Sequence, residues 1–138
     1  MIVSSTISVQ SKGFTDVLDI TDAVQQSISR SGVRDGLVTV FVRGSTAGVS
    51  TIEYEPGLIA DLQQMFERVV PSNVTYQHDR RWGDGNGFSH IRATLMGPSL
   101  SVPIVGGSAA LGTWQQIVVV DFDNRPRRRD VLVQVIGE

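Results

Sequence analysis

A chain of 138 residues is the size of one domain and long enough to bury most of the apolar surface that its unfolded form exposes. Hydrophobic residues make up 41%, charged residues 19% and the formal charge is −2, which excludes a disordered chain and a broad basic surface for nucleic acid. No cysteine is present, so disulfides, thiolate metal sites and cysteine nucleophiles are excluded, and any metal must use His, carboxylate or amide ligands.

No apolar stretch approaches the roughly 20 residues of a membrane span, and no membrane association is expected. No basic residue leads an apolar core between Met1 and Val9, so the expectation is a protein without a secretory signal, resident in the cytoplasm. Ile2 to Val9 alternates Ile7 and Val9 with Ser and Gln as a strand would, and Asp16 to Ile20 reads as its returning partner. Thr21 or Asp22 then offers an N-cap, with Gln25 three residues after Asp22, for a short helix that ends at Gly32. Leu37 to Val42 is a β-branched core strand, expected to pair with Val49 to Tyr54 across the turn Gly44 to Gly48.

Leu58, Ile59, Leu62, Met65, Phe66, Val69 and Val70 fall on one helical face, with Pro56 opening the helix and Pro71 closing it. Tyr76 to Gly87 is polar and glycine-punctuated, and reads as a long functional loop holding His78, Asp79, Asp84 and Asn86. Asn86 is a candidate N-cap for a helix carrying Phe88, Ile91, Leu95 and Met96, stopped by Gly97-Pro98. Ser99 to Val105, Trp114 to Phe122 and Arg129 to Ile136 complete the chain as strands, the first admitting Pro103 only at an edge or bulge. Together these elements predict an α+β fold: a β-rich, sandwich-like single domain over residues 1–138 with two to three short helices.

Chemistry can reside in few places. His78 and His90 are the only histidines, candidates for proton transfer or for a divalent metal site. If the following segment is helical, Asn86 and His90 share its face and can meet a common ligand. The plainer reading makes His78 an exposed loop residue and His90 a boundary residue. Glu53 and Glu55 alternate and would share a strand face able to hold a cation, with a solvated helix entrance as the plainer reading of Glu55. Ser45 and Thr46 lie in a turn whose amides and hydroxyls suit a phosphate, although an ordinary hairpin turn has the same composition. Arg127 and Arg129 would share a face, with Arg128 opposite, and their planar forks suit phosphate or carboxylate. Trp114 and Gln115 stand at the mouth of an apolar strand, where an indole and an amide suggest substrate contact or simple packing.

The ordered set Thr46-Ala47, Glu53, Asp61, Tyr76-Gln77-His78, Asn86 with His90, Gly97-Pro98-Ser99, Val102-Pro103-Ile104, Leu111-Gly112-Thr113-Trp114-Gln115, Arg127-Arg128-Arg129 and Gly137-Glu138 resembles the YjbQ family, known as secondary thiamine-phosphate synthases. The resemblance spans nearly the whole chain. It implies a sandwich-like α+β fold assembled as a homotrimer, and a transferase that joins a pyrimidine diphosphate to a thiazole phosphate. On that basis Arg127, Arg129, Ser45 and Thr46 would bind the phosphorylated metabolite, and His78 and His90 would carry protons or hold a divalent ion, Zn or Mg. Asn86 and Gln115 would orient the substrate, and Glu53 would face a cationic ring. Many relatives have His-Thr where this chain has Gly44-Ser45, so a histidine ligand or acid at that point is missing here. A metal-dependent hydrolase and a trimeric metabolite-binding module draw on the same residues.

Overall fold

Ile117, Val118, Val119 and Val120 are all buried, so the strand that carries them is covered on both faces. The structure, a computed structural model, describes residues 1–138. Its elements in chain order are β1 (Ile2–Ser11), β2 (Asp16–Asp19), α1 (Thr21–Ser31), β3 (Gly36–Val42), β4 (Ala47–Ile52), α2 (Pro56–Val69), α3 (Gln77–Trp82), α4 (Gly87–Met96), β5 (Ser99–Val105), β6 (Ser108–Ala109), β7 (Gln116–Asp121) and β8 (Arg127–Gly137). They form the expected α+β fold, with a five-stranded sheet in the order β1-β8-β3-β5-β6 and a three-stranded sheet in the order β2-β7-β4. No helix is long and apolar enough to cross a membrane.

The three-stranded sheet is the middle layer. Ile117 and Val119 of β7 face the main core with Val38, Val40 and Val42 of β3 and Val131, Val133 and Val135 of β8, and α1 adds Val24 and Ile28. Val118 and Val120 point the other way, onto Phe66 of α2, Ala93 of α4 and Phe122. Period-two alternation distributes one apolar run between two cores. Each such side chain removed from water is worth about 1.5–3 kcal/mol, and these strands therefore anchor the loops at their ends.

Several boundaries differ from the sequence expectation for physical reasons. β2 pairs with β7 rather than returning onto β1, which pairs with β8. Likewise β3 pairs with β5 and β8, and β4 pairs with β7, so the two strands expected to form a hairpin belong to different sheets. The chain crosses at Arg43 to Thr46 because both edges of β3 are already taken, with Val42 N–H donating to Pro98 O and Arg43 N–H to Asp130 O. α1 starts after Ile20 without a side-chain cap, and the Asp19 carboxylate accepts from Thr21 N–H instead. The polar segment after Pro71 is not one loop, since α3 occupies its centre and raises the helix count to four. Pro103 lies between β3 and the end of the short β6: in the register of β5 on β3 its nitrogen faces away from β3, so no ladder bond to β3 is lost, and its carbonyl accepts from Ala110 N–H at 2.8 Å.

Candidate functional site

The apolar strand β7 ends at one buried acid, Asp121, and a second, Asp123, follows two residues on; buried carboxylates require partners. Arg129 supplies the first. Its side chain is only 3% exposed, and it forks onto Asp121 through Nε at 2.7 Å and Nη2 at 2.9 Å. Ser11 Oγ donates to the same carboxylate at 2.6 Å. Thr46 links the two acids, accepting from Arg129 Nη2 and donating to Asp123 Oδ2 at 3.1 Å. Arg127 Nη1 reaches Asp123 Oδ2 at 2.5 Å, and Asp123 Oδ1 accepts from Asn124 N–H at 2.8 Å and from Asn86 Nδ2 at 3.3 Å. Burial alone would push the Asp123 carboxyl up; the Asn124 amide, Asn86, Thr46 and Arg127 outweigh it and hold the group below the usual aspartate range.

A second set of contacts closes α3 against α4. The Asp79 carboxylate accepts from Tyr76 N–H at 2.9 Å and Gly87 N–H at 2.8 Å, which caps one helix and ties it to the start of the next. These two backbone donors, Tyr76 first, hold Asp79 below its ordinary value. Gly87 is required for the approach, because a Cβ there would lie 2.8 Å from the Tyr76 side chain and 2.9 Å from Asp79 Oδ1. The closure stacks His78 on His90, with ring centroids 4.3 Å apart and a tilt of 39°. Burial, and then the charge of His78, push His90 below its ordinary value against the opposing pull of Asp123, Asp84 and Asp79, so its imidazole is neutral at pH 7.

Two buried polar atoms in this corner have no hydrogen-bond partner, His78 Nδ1 and Asn86 Oδ1. The nearest carboxylate oxygen to the former, Asp84 Oδ1, is 3.6 Å away, close enough for an ion pair but long for a hydrogen bond. Buried polar atoms are rarely left unpaired, and each of these two keeps a hydrogen-bonding position that water, an ion or a ligand can fill. His90 also walls a cleft of about 200 Å³ with Gly44, Ser45, Thr94 and Pro98. The guanidiniums of Arg127 and Arg129 pair with Asp123 and Asp121, whereas Asp79 and Asp84, which also act on His90, have no guanidinium partner, and that negative charge favours a cation or a proton.

The sequence candidates divide between this corner and elsewhere. His78, His90, Asn86, Ser45, Thr46, Arg127 and Arg129 converge on it. Asn86 stands before α4 as expected, but its side chain holds Asp123 and does not cap the helix, which begins instead with Ser89 N–H donating to the Asn86 carbonyl. Arg129 and Thr46 are committed to the buried network: Arg129 Nε and Nη2 donate to Asp121 and Thr46, the Thr46 hydroxyl donates to Asp123, and Arg129 Nη1 lies beside Gly44 of the cleft wall. Arg127 is one-third exposed and Ser45 is exposed, and both remain reachable.

Glu53 lies outside the corner, exposed beyond the end of β4 at Ile52, and so does not share a strand face with Glu55. Glu55 caps α2, accepting from Gly57 and Leu58 N–H at 2.9 and 2.7 Å, and those donors lower its pKa. β7 starts at Gln116, which leaves Trp114, 72% exposed, and Gln115 in the preceding turn. Gln115 lines a different cleft. Sequence reasoning missed Asp121 and Asp123 as members of the site. The available signal was two acids at the end of a continuously apolar strand, a few residues before an arginine run.

His78, Asp79 and Asp84 offer ligand atoms that all lie within 4.8 Å of one another, one nitrogen and two carboxylate oxygens. The free Nδ1 of His78 and the mixed N and O donor set fit a divalent ion, while the exposure of Asp84 leaves one side open to solvent.

A family model described as UPF0047 protein YjbQ-like matches residues 5–138. The UPF0047 protein of Methanothermobacter thermautotrophicus is 40% identical over 123 residues, 89% of this chain and 84% of its own. That of Archaeoglobus fulgidus is 40% identical over 121 residues, 88% of this chain and 91% of its own. Among solved structures, a YbjQ-like protein of unknown function from Sulfolobus solfataricus superposes with a TM-score of 0.95 at 30% identity, covering 100% of this chain and 99% of that one. A hypothetical protein from Aeropyrum pernix gives a TM-score of 0.91 at 32% identity, with 99% of each chain covered.

Proposed function

The chain belongs to the UPF0047 YjbQ-like family, and from that premise we propose that it is a transferase of the thiamine-phosphate-synthase type, joining a pyrimidine diphosphate to a thiazole phosphate. The observation that carries this reading is the stacked His78–His90 pair beside two unpartnered buried polar atoms and an open cleft. In the reaction the thiazole nitrogen forms a bond to the pyrimidine methylene carbon, the carbon–oxygen bond to diphosphate breaks, and its electron pair stays on the departing oxygen. Charge therefore develops on diphosphate, and donors aimed at that oxygen lower the barrier. The reachable Arg127 and an N–H of the His78 imidazole are the donors, Ser45 binds a phosphate oxygen, and Asn86 Oδ1 orients the substrate. Neutral His90, stacked on His78, walls the cleft in which the substrate sits.

The negative excess of the corner is the reason to include a divalent ion, Zn or Mg, which would be held by His78, Asp79 and Asp84 and would supply positive charge for the diphosphate. Arg129 and Thr46 act behind the surface by fixing Asp123. A homotrimer is part of the same reading, and sedimentation velocity tests it directly.

Replacing both His78 and His90 with Ala should abolish thiamine phosphate formation while leaving the circular dichroism unchanged; activity retained by the double variant would sink the assignment. A second reading, a metal-dependent hydrolase, is favoured by one observation, the grouping of His78, Asp79 and Asp84. It expects turnover of a phosphorylated substrate without an acceptor, lost on chelation. Saturable metabolite binding with no turnover under either assay would point instead to a binding module.

A further inference from the structure

The largest cleft of the molecule, about 380 Å³, is not at the histidines but in the seam between the two sheets, where β4 and β5 present unpaired edges to one another. The register identifies the free groups. On β4, Gly48, Ser50 and Ile52 pair towards β7, as the bond from Phe122 N–H to Thr46 O requires, so Val49 and Thr51 face the seam. On β5, Leu100 and Val102 pair towards β3, in phase with the bond from Val42 N–H to Pro98 O, so Ser99 and Ser101 face the seam. Val49 N–H is taken by Gly97 O at 3.0 Å and closes one end. Beyond that bond the edges diverge, leaving the N–H and C=O of Thr51, Ser99 and Ser101 without backbone partners.

The other end is roofed by the turn carrying Ala110, Leu111 and Gln115. Gln115 latches it, donating from Nε2 to Thr51 Oγ1 and accepting at Oε1 from Gly112 N–H, each at 3.0 Å. Val49, Met96 and Leu100 give the cleft apolar walls, and no charged side chain lines it. An ion would lose its hydration there without a counter-charge. A strand-edge residue presents its N–H and C=O side by side, the pattern that a flat ring with adjacent acceptor and donor completes. The free stretch of β4, Val49 to Thr51, is about 7 Å long, the size of a ring rather than of an added strand. The volume is also within the range of small-molecule sites, about 300–1,000 Å³.

We propose that the β4–β5 seam is a second binding site, separate from the histidine corner, for a small uncharged planar molecule with adjacent donor and acceptor atoms, such as an aminopyrimidine or a heteroaromatic amide. The site is independent of the catalytic reading, and either can fail alone. The test is a ¹H–¹⁵N titration of the full chain with cytosine and with nicotinamide, using orotate as the anionic control. The expected result is saturable movement of the Thr51, Ser99 and Ser101 amides with at least one neutral ring, with a Kd on the order of 1 mM for so small a ligand. Orotate should bind about tenfold or more weakly.

Ala110→Trp, which swings an indole from the roof into the cleft, should abolish those shifts, while His78→Ala with His90→Ala should preserve them. If the indole disturbs the fold, visible in the same spectra, Gln115→Ala replaces it; unlatching the roof should weaken binding several-fold. No saturable shift with either neutral ring, shifts at His90 and Thr94 in place of the seam, or unaltered binding by both roof variants would overturn the proposal.

Discussion

The two clefts touch the same helix, α4, but are made in different ways. At the histidine corner the wall is a chain of side chains: Asn86 rests on Asp123, Asp123 on Thr46 and Arg127, and Thr46 on Arg129, which is buried against Asp121. In the seam the wall is backbone, the edges of two sheets that pack on one shared core, and one amide, Gln115, spans it. A site built from charged side chains stores its geometry in interactions that fail together when one is removed. A site built from strand edges inherits its geometry from the core and tolerates change at its lining. The corner is therefore the place where mutation costs stability, and the seam the place where it costs affinity alone.

That contrast can be broken most directly at Arg129. Arg129→Met leaves Asp121 charged and buried with only Ser11 and backbone donors, and should destabilise the fold by about 3–5 kcal/mol in urea denaturation. Thr46→Val keeps the shape but removes the hydroxyl bridge between Arg129 and Asp123, leaving only their direct approach at 3.8 Å, and should cost about 1–3 kcal/mol. Gln115→Ala, at an exposed hydrogen bond in the seam, should cost less than about 1 kcal/mol. A seam variant as damaging as Thr46→Val would erase the distinction.

The pH dependence sharpens it further. Asp123 has a depressed folded pKa, so its contribution is complete above the ordinary aspartate value of about 3.9 and is lost as pH falls through the lower folded value. His90 is also depressed, but as a base: the unfolded chain binds its proton more readily, so stability should fall as pH drops from about 6.5 towards the folded value. Denaturant midpoints measured across that window should slope in the parent and lose the slope in His90→Gln. The smallest expected effect is at the turn Gly13 to Thr15, where Phe14 takes φ of 57° with its ring 63% exposed. Phe14→Gly should leave the melting temperature unchanged or raise it slightly, by about 0.5–1 kcal/mol of relieved backbone strain.

Local pattern made much of the architecture legible. The face Leu58 to Val70 between Pro56 and Pro71 reads as α2 because helical spacing and two prolines act within the segment itself. The apolar run at 117 to 120 reads as a buried strand for the same reason. What local pattern cannot carry is pairing: β3 and β4 are neighbours in sequence with a turn-like link, yet β3 finds β5 and β8 because their apolar faces complete the larger core. α3 was hidden because its six residues show no apolar face; Asp79 caps it and the contact with α4 sustains it.

The site divides along the same line. Residue chemistry alone selected His78, His90, Asn86 and Arg127, since few side chains in this chain can move a proton or bind an anion. Whether Arg129 faces a ligand or a buried aspartate, and whether Gln115 belongs with the histidines or with the seam, was decided by long-range packing. Type and periodicity are properties of a short stretch of chain, whereas the partner of a charged group depends on which distant residues the two cores bring within hydrogen-bond reach.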